Sequence, residues 1–221
     1  MNLIKAVFFD LDGTLIDTEK IYNKFWREAA FSLGYDLTKE MVLELRSLDT
    51  KLAAAKFKKW FGDESLYEKI KALRIKRMNE YLLNNPIERK PGAIELLSYL
   101  KQEDIKAYVV TATKKDMALD LIRRAGLENY LTDIISTKDV TKGKPDPEVY
   151  LKALKVANLE PDEVISVEDS PNGLQAAYDA GTIAIYIPDL TPFDEQVSNY
   201  CYASFDTLDQ IISYIEVSKI L

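Results

Sequence analysis

The sequence predicts an α/β protein in which a Rossmann-like, mostly parallel sheet has helices on both faces and carries an inserted α-helical domain. After residue 92, short apolar segments rich in strand-forming residues alternate with helical patterns, as parallel sheets require. A similar apolar segment lies at residues 4–9, but about seventy residues of helical pattern follow it. We therefore predict a core domain made of 1–16 and 88–221 and an inserted helical cap domain, 17–87.

Four helices are predicted in the cap, because apolar residues recur at three- or four-residue intervals in each. The first contains Ile21, Phe25, Ala29 and Leu33, and the others cover residues 38–46, 52–61 and 65–83. Such stripes are typical of helices that pack into a common core rather than of a cofactor site.

The rest of the core domain follows the alternating pattern. The predicted helices cover 92–102, 114–125, 146–157, 171–180 and 206–217. The predicted strands cover 105–110, 133–136, 164–167 and 182–187, with a weak last strand near Tyr202. Right-handed crossovers between parallel strands would bring the carboxyl ends together at one edge, where α/β sheets hold their chemistry.

The composition limits the possible classes of function. With 47% hydrophobic and 29% charged residues, the 221-residue chain is typical of a soluble globular protein. A net charge of −7 without a basic run argues against a nucleic-acid partner. No apolar segment is long enough to span a bilayer, the N-terminal residues show no leader pattern, and Cys201 is the only cysteine. We therefore expect no membrane partner, no internal disulfide and a cytoplasmic location.

Two carboxylates, Asp10 and Asp12, follow the first predicted strand in the segment Val-Phe-Phe-Asp-Leu-Asp-Gly-Thr-Leu. Residues at this spacing share a face in extended backbone, and Gly13 permits a sharp turn. At the end of a parallel strand, both would reach the crevice of an active site. The alternative is a hairpin turn at Asp12-Gly13, and for this segment alone the two interpretations weigh equally.

A second polar segment, Thr111-Ala112-Thr113-Lys114, follows the strand at 105–110. Thr111 is a candidate for holding a phosphoryl oxygen, assisted by the N–H groups that open the next helix. The alternative is that Thr113 simply caps that helix, and for this segment alone capping is favoured.

Two more candidate sites lie further along the chain. Lys144 stands in the proline-containing loop 141–147, where a lone lysine is usually solvated. Glu168 and Asp169 end another predicted strand, and adjacent carboxylates in such a place favour a hard divalent cation. A cap of the following helix by Ser170 or Asp169 is also expected.

The four segments together resemble the four ordered motifs of the haloacid dehalogenase-like superfamily, in the version that its phosphatases and phosphomutases use. The resemblance implies phosphoryl transfer through an aspartyl phosphate, with Mg²⁺ as the cofactor. It makes Asp10 the nucleophile and Asp12 the general acid and base. It adds Thr111 and Lys144 to the catalytic residues. The implied metal ligands are Asp10, Asp12, Glu168 and Asp169.

The position of the helical insertion resembles the β-phosphoglucomutase-like branch. That branch has a cap histidine where this chain has Tyr22, and an arginine beyond a Leu-Lys-Gly stretch that reads Leu45-Arg46-Ser47 here. The chain contains no histidine, and residues 49–51 offer no arginine. Because a mutase needs a second phosphate site in its cap, these departures favour a phosphatase for a small phosphorylated metabolite such as a sugar phosphate.

The residues implied in binding phosphate or substrate are Thr111, Ala112, Lys114, Arg46 and Tyr22. One alternative is a β-phosphoglucomutase-like sugar phosphomutase that uses Arg46 and Lys51 for a second phosphate. Another is a non-catalytic binding protein on the same fold, which the complete motif set argues against. Dehalogenation is disfavoured, because the dehalogenases of the superfamily lack an aspartate at the position of Asp12. The small substrate is the only partner expected, and the protein is expected to be a monomer.

Overall fold

The computed structural model describes residues 3–191 and 193–219, and it confirms the predicted α/β fold. Its sheet contains six parallel strands in the order β3-β2-β1-β4-β5-β6. They are β1 (Ala6–Phe9), β2 (Lys106–Thr111), β3 (Asp133–Ser136), β4 (Val164–Glu168), β5 (Ile183–Tyr186) and β6 (Ala203–Ser204). The first strand in sequence therefore lies inside the sheet, with later strands on both sides of it.

The segment between β1 and β2 begins with four helices, as predicted. They are α1 (Glu19–Phe31), α2 (Lys39–Leu43), α3 (Thr50–Phe61) and α4 (Ser65–Leu83). They bury an aromatic cluster of their own, in which the Trp26 ring lies 5.7 Å from the Tyr67 ring and 6.1 Å from the Phe57 ring. We call residues 17–87 the insert; these boundaries stay a prediction.

The helix α2 is shorter than the predicted 38–46. After Leu43 the backbone hydrogen bonds join residues three apart instead of four. The N–H group of Leu45 donates to the carbonyl oxygen of Val42 at 3.0 Å, and that of Arg46 donates to the carbonyl oxygen of Leu43 at 3.2 Å. Ser47 then adopts a left-handed conformation with φ of 52°, which ends the helical path. The result is a tight turn that carries Arg46, whose side chain is buried against the core.

Helices cover both faces of the sheet. They are α5 (Ala93–Gln102), α6 (Lys115–Arg124), α7 (Glu148–Ala157) and α8 (Pro171–Asp179), followed by α9 (Glu195–Ser198) and α10 (Gln210–Ser218). Side chains of β1 alternate between the faces, since Val7 and Phe9 pack with α5, α6 and α10, whereas Phe8 packs with α7 and α8.

The end of the chain differs in detail from the prediction. The helix α9 was not predicted, because four residues are too short to show a helical period; it is capped by Asp194, which accepts from the N–H group of Val197 at 3.0 Å. The weak strand expected near Tyr202 is β6, and α10 begins at Gln210 rather than at residue 206. No helix in the described part of the chain is long and apolar enough to cross a membrane.

The strand register brings the polar segments that follow β1, β2 and β4 to one edge of the sheet. Phe9 is level with Val109 of β2 and Val167 of β4. Because the strands are parallel, the residues that follow them end side by side, and the N–H group of Asp10 donates to Val167 at 3.0 Å.

Candidate functional site

The centre of the site is a buried ammonium group between two carboxylates. Lys144 Nζ lies 2.8 Å from Asp10 Oδ1 and 2.5 Å from Glu168 Oε1, and it also donates to the carbonyl oxygen of Val110 at 2.9 Å. The Tyr150 hydroxyl donates a short hydrogen bond to the same Glu168 oxygen. The Lys144 side chain is 0% exposed, so the interpretation that it is a solvated loop lysine is wrong.

The electrostatics follow from this burial. Burial alone would lower the pKa of Lys144, but the charges of Asp10 and Glu168 outweigh it and raise that pKa, so the ammonium form persists. Burial raises the pKa of Glu168 to about 7, against the attraction of Lys144. Opposite charges hold this cluster together. Removing one member would leave a remaining charge buried without its counter-ion, which is strongly destabilising.

The loop that carries Lys144 is attached to the insert as well as to the core. The N–H group of Asp49 donates to the Lys144 carbonyl oxygen at 2.8 Å, and Asp49 Oδ2 accepts from the N–H group of Gly143 at 3.1 Å. The Lys144–Pro145 peptide bond is cis. These contacts fix the position of the ammonium group from both sides.

Asp12 lies beside the centre and has its own pair of hydroxyl donors. Thr18 Oγ1 donates to Asp12 Oδ1 at 2.6 Å, and Thr113 Oγ1 donates to Asp12 Oδ2 at 2.7 Å. Burial raises the pKa of Asp12. The hydrogen bond from the Thr18 hydroxyl opposes this increase, and the negative charge of Asp10 adds to it. Two hydroxyl donors fix the orientation of this carboxylate.

Two alternatives from the sequence are wrong. Asp12-Gly13 does not form a hairpin turn, because both neighbours of β1 are parallel and come from later in the chain. Thr113 does not cap α6: the N-cap is Lys114, with no side-chain cap, and the Thr113 hydroxyl is directed to Asp12. The roles of Thr18 and Thr113 were missed; Thr18 closely follows the carboxylate motif in sequence, whereas Thr113 lies about a hundred residues away and has no such signal.

A third carboxylate completes a candidate metal site. One oxygen each of Asp10, Glu168 and Asp169 lies within 4.8 Å of the others. Glu168 Oε2 is buried and has no hydrogen-bond partner, and Asp169 Oδ2 is buried in a short ion pair with Arg46. Unpartnered buried carboxylate oxygens are costly, and a hard divalent cation takes such ligands. The residues therefore fit Mg²⁺, whereas the Asp12 carboxylate is engaged by hydroxyls and its role as a ligand stays a prediction.

Glycines give these carboxylates their space. A Cβ atom at Gly13, where φ is +87°, would lie 2.0 Å from Asp169 Oδ2. A Cβ atom at Gly173 would lie 2.0 Å from Glu168 Oε2. Gly173 also donates its N–H group to the Ser170 hydroxyl at 3.1 Å, which confirms the predicted cap of α8.

Arg46 reaches the site from the insert. Its guanidinium forms a short ion pair with Asp169 and lies 3.4 Å from Glu19 and 3.7 Å from Asp189. It also donates to the Thr191 hydroxyl at 2.8 Å. Burial raises the pKa of Glu19 to about 8, and the charge of Arg46 opposes that shift. The guanidinium is thus engaged by carboxylates of both the insert and the core, and its predicted contact with substrate stays a prediction.

A cavity of about 290 Å³ lies between the insert and the core, and Asp10 and Asp12 of the site line it, whereas Lys144, Glu168 and Asp169 are not among its lining residues. Residues predicted to be catalytic or substrate-binding line it: Asp10, Asp12, Tyr22, Arg46, Thr111, Ala112 and Lys114. Thr111 is buried and its hydroxyl accepts from the N–H group of Thr113 at 3.0 Å. Sequence reasoning missed three cations that also line it, which are Lys71, Arg74 and Lys138.

Comparisons with known proteins agree with this geometry. The model of a family described as haloacid dehalogenase-like hydrolase matches residues 7–187. The chain is 34% identical over 189 residues to the phosphorylated carbohydrates phosphatase of Thermotoga maritima, covering 83% of this chain and 84% of that protein. It is 27% identical over 188 residues to the β-phosphoglucomutase of Bacillus subtilis, covering 82% of each.

A solved structure is similar over nearly the whole chain. A mutant of CbbY from Rhodobacter sphaeroides, in complex with xylulose-(1,5)bisphosphate, is 25% identical with a TM-score of 0.79. The similarity covers 94% of this chain and 96% of that one.

Proposed function

Because the chain belongs to the haloacid dehalogenase-like hydrolase family, we propose that it is a Mg²⁺-dependent phosphatase that hydrolyses a sugar phosphate through an aspartyl-phosphate intermediate. The observation that supports this most directly is the position of the Lys144 ammonium group. It lies 2.8 Å from Asp10 Oδ1 and 2.5 Å from Glu168 Oε1, and the other Glu168 oxygen is buried without a hydrogen-bond partner. A nucleophile next to a fixed cation and to carboxylates that could hold a divalent metal suits phosphoryl transfer.

The chemistry proposed for the chain's own residues has two steps. In the first, a carboxylate oxygen of Asp10 attacks phosphorus, the ester P–O bond breaks, and Asp12 gives a proton to the leaving oxygen. In the second, Asp12 takes a proton from the water whose oxygen attacks phosphorus, the P–O bond to Asp10 breaks, and inorganic phosphate leaves the restored Asp10 carboxylate. The hydroxyls of Thr18 and Thr113 orient Asp12 for both transfers.

The developing charge needs stabilisation throughout. The Lys144 ammonium and the Thr111 hydroxyl would hold phosphoryl oxygens at the end of β2. Mg²⁺ would be held by Asp10, Glu168 and Asp169, and when bound it would neutralise charge between these carboxylates and the phosphoryl group.

The substrate class is inferred from the cavity and the relatives. A cavity of about 290 Å³ that is lined by charged, hydroxyl and aromatic side chains suits a small polar ester better than an apolar one. The similarity to a phosphatase of phosphorylated carbohydrates supports a sugar phosphate.

The phosphomutase alternative has less support. The chain is similar to a β-phosphoglucomutase, but it has no histidine at Tyr22 or elsewhere. The Arg46 guanidinium, which that alternative would use for a second phosphate, is engaged by Asp169 and Glu19. Hydrolysis is therefore the proposed outcome.

The test is a screen for phosphate release from many phosphorylated metabolites and from p-nitrophenyl phosphate, with Mg²⁺ present. We expect hydrolysis of sugar phosphates by the wild type and none by Asp10→Asn, which keeps the side-chain volume but has no nucleophile. Measurable turnover by that variant, after deamidation has been excluded, would rule out the nucleophile. Isomerised sugar phosphate without release of phosphate would favour the mutase.

A further inference from the structure

The Tyr150 hydroxyl is buried beside the reaction centre, and the proposed chemistry gives it no role. Tyr150 lies on α7, is 0% exposed, and donates a short hydrogen bond to Glu168 Oε1. Its ring lies 5.2 Å from Lys144 Nζ and packs among the buried residues that α7 and α8 share with the sheet. A phenylalanine would satisfy that packing equally well, so the hydroxyl group requires an explanation of its own.

The two carboxylate oxygens of Glu168 have different surroundings. Oε1 accepts from Lys144 Nζ at 2.5 Å and from the Tyr150 hydroxyl, whereas Oε2 is buried without a hydrogen-bond partner. Two donors on one oxygen fix the rotation of the carboxylate. Oε2 is therefore the oxygen that Glu168 has left to offer to a divalent cation, together with Asp10 and Asp169.

Lys144 cannot keep all of its present contacts during the proposed reaction. An ammonium group has three hydrogens. In the structure they face three protein acceptors: Asp10, Glu168 and the carbonyl oxygen of Val110. A phosphoryl oxygen that binds Lys144 must therefore replace one of these acceptors. The single hydrogen of the Tyr150 hydroxyl is directed to Glu168, so this second donor can hold the carboxylate when Lys144 releases it.

The position of Tyr150 is fixed by the start of α7. The Glu148 carboxylate accepts from the N–H groups of Thr141 at 2.9 Å and Lys142 at 2.8 Å. The N–H group of Tyr150 donates to the carbonyl oxygen of Pro147 at 2.9 Å. The loop 141–147 and the first turn of α7 are thus joined by hydrogen bonds, and the hydroxyl approaches Glu168 from the core rather than from the insert.

We propose that Tyr150 is a positioning residue, whose hydroxyl holds Glu168 Oε1 so that Oε2 stays directed at the Mg²⁺ site while Lys144 binds the phosphoryl group. This inference rests on the proposed Mg²⁺-dependent phosphatase. Mg²⁺ requires nearly octahedral ligand positions, whereas Ca²⁺ accepts irregular ones. A Glu168 carboxylate with a fixed orientation therefore favours Mg²⁺, and the Tyr150 hydroxyl contributes to the preference for Mg²⁺ over Ca²⁺.

The test measures the binding of Mg²⁺ and of Ca²⁺ to the metal-free full chain by isothermal titration calorimetry, for the wild type and for Tyr150→Phe. We expect the dissociation constant of Mg²⁺ to rise by about tenfold in the variant, because the loss of a group that orients a metal ligand has an effect of about 10–100-fold. The dissociation constant of Ca²⁺ should change by less than about twofold, because its coordination tolerates a displaced carboxylate.

The matched control is Tyr108→Phe, which removes a hydroxyl from the same cluster of buried residues, where the Tyr108 ring packs edge-on against Phe8 at 5.4 Å. It should leave both dissociation constants unchanged. Urea unfolding without metal is measured for each variant, because a purely structural role of Tyr150 would lower the free energy of unfolding and change neither dissociation constant.

That purely structural result would overturn the positioning role, and so would an equal loss of affinity for both cations. A wild type that binds no Mg²⁺ and releases no phosphate from p-nitrophenyl phosphate would instead overturn the proposed function, and the positioning role with it. A wild type that binds Mg²⁺ and releases phosphate, beside a Tyr150→Phe variant of unchanged Mg²⁺ affinity, would overturn the positioning role alone.

Discussion

Two buried cations, Lys144 and Arg46, neutralise carboxylates of the same site, but they come from different parts of the chain. Lys144 belongs to the core and contacts Asp10 and Glu168. Arg46 belongs to the insert and contacts Asp169, with Glu19 at 3.4 Å. Their side chains are similarly buried, at 0% and 3% exposure, so burial does not distinguish them.

The difference lies in what each contact depends on. Lys144 meets its partners within the core, at the ends of β1 and β4, where the sheet register fixes the distances. Arg46 contacts Asp169 only while the insert packs onto the core, and Asn172 adds to that packing by donating to the Arg46 carbonyl oxygen at 2.8 Å. A contact between two parts of a chain can open when substrate enters. We therefore expect Lys144 to serve the chemistry and Arg46 to serve closure of the insert on the core.

The largest effect is expected from Lys144→Met. Without the ammonium group, Asp10 and Glu168 lose their counter-ion, and the phosphoryl oxygens lose a donor. We expect kcat/KM to fall by about 10³-fold, and the free energy of unfolding without metal to fall by about 3–5 kcal/mol. Both are measured on one preparation, by phosphate release and by urea unfolding.

The control for that variant is Lys142→Met in the same loop, whose ammonium is exposed and lies 3.3 Å from Asp146. It should change neither quantity. If Lys144→Met kept its activity while its stability fell, the ammonium group would be a structural cation only.

Asp12→Asn is expected to have the next largest effect. The amide keeps the volume but cannot move a proton, so hydrolysis of alkyl phosphates should fall by about 10²–10³-fold. The loss should be smaller for aryl phosphates, whose leaving groups need no proton. Pre-steady-state measurement of the first step with both kinds of donor checks this, and equal losses would contradict the role of general acid.

Metal binding should have a moderate effect on stability. Asp10, Glu168 and Asp169 bring carboxylate oxygens together, and Glu168 Oε2 is buried without a hydrogen-bond partner, so we expect a divalent cation to bind the folded chain in preference to the unfolded one. At about 100 times its dissociation constant, Mg²⁺ should add roughly 2.7 kcal/mol to the free energy of unfolding. Asp169→Asn should reduce that gain, and chelator should abolish both the gain and turnover. An unchanged thermal midpoint with Mg²⁺ would contradict the site.

The sequence predicted the core of the site because that part depends on local pattern and sheet geometry. Apolar strands ending in Asp10, Thr111 or Glu168 meet at one edge in any parallel sheet with this strand order. The strand that precedes each of these residues was therefore enough to predict where the residue lies. The family resemblance added Lys144, whose loop has no strand to indicate its position.

The contacts of the insert could not be predicted in the same way. The position of Arg46 depends on the early end of α2 and on the left-handed Ser47, and neither has a distinct sequence signal. Lys71 and Lys138 line the same cavity although they come from α4 and from the turn that follows β3. Nothing in the separate sequences of those segments indicates that they lie together.

The smallest effect is expected from Arg46→Met, which tests the role in closure. Removing a buried cation usually leaves its partner carboxylates buried and unpaired. Here we expect the insert to open, so that water can solvate Asp169 and Glu19. The cost should therefore appear as a weaker contact between insert and core rather than as a large loss of stability. We expect kcat/KM to fall by about tenfold, with the radius of gyration from small-angle scattering increased.

That loss should be shared by p-nitrophenyl phosphate and sugar phosphates, because closure serves every donor. Lys51→Met is the matched control, since Lys51 is an exposed lysine of the same insert that does not line the cavity. A loss confined to sugar phosphates would instead place Arg46 on the substrate, and the same selective loss in Lys51→Met would favour the phosphomutase. A compact Arg46→Met variant with full activity would show that the Asp169 contact is dispensable, because Mg²⁺ alone would then balance the carboxylates.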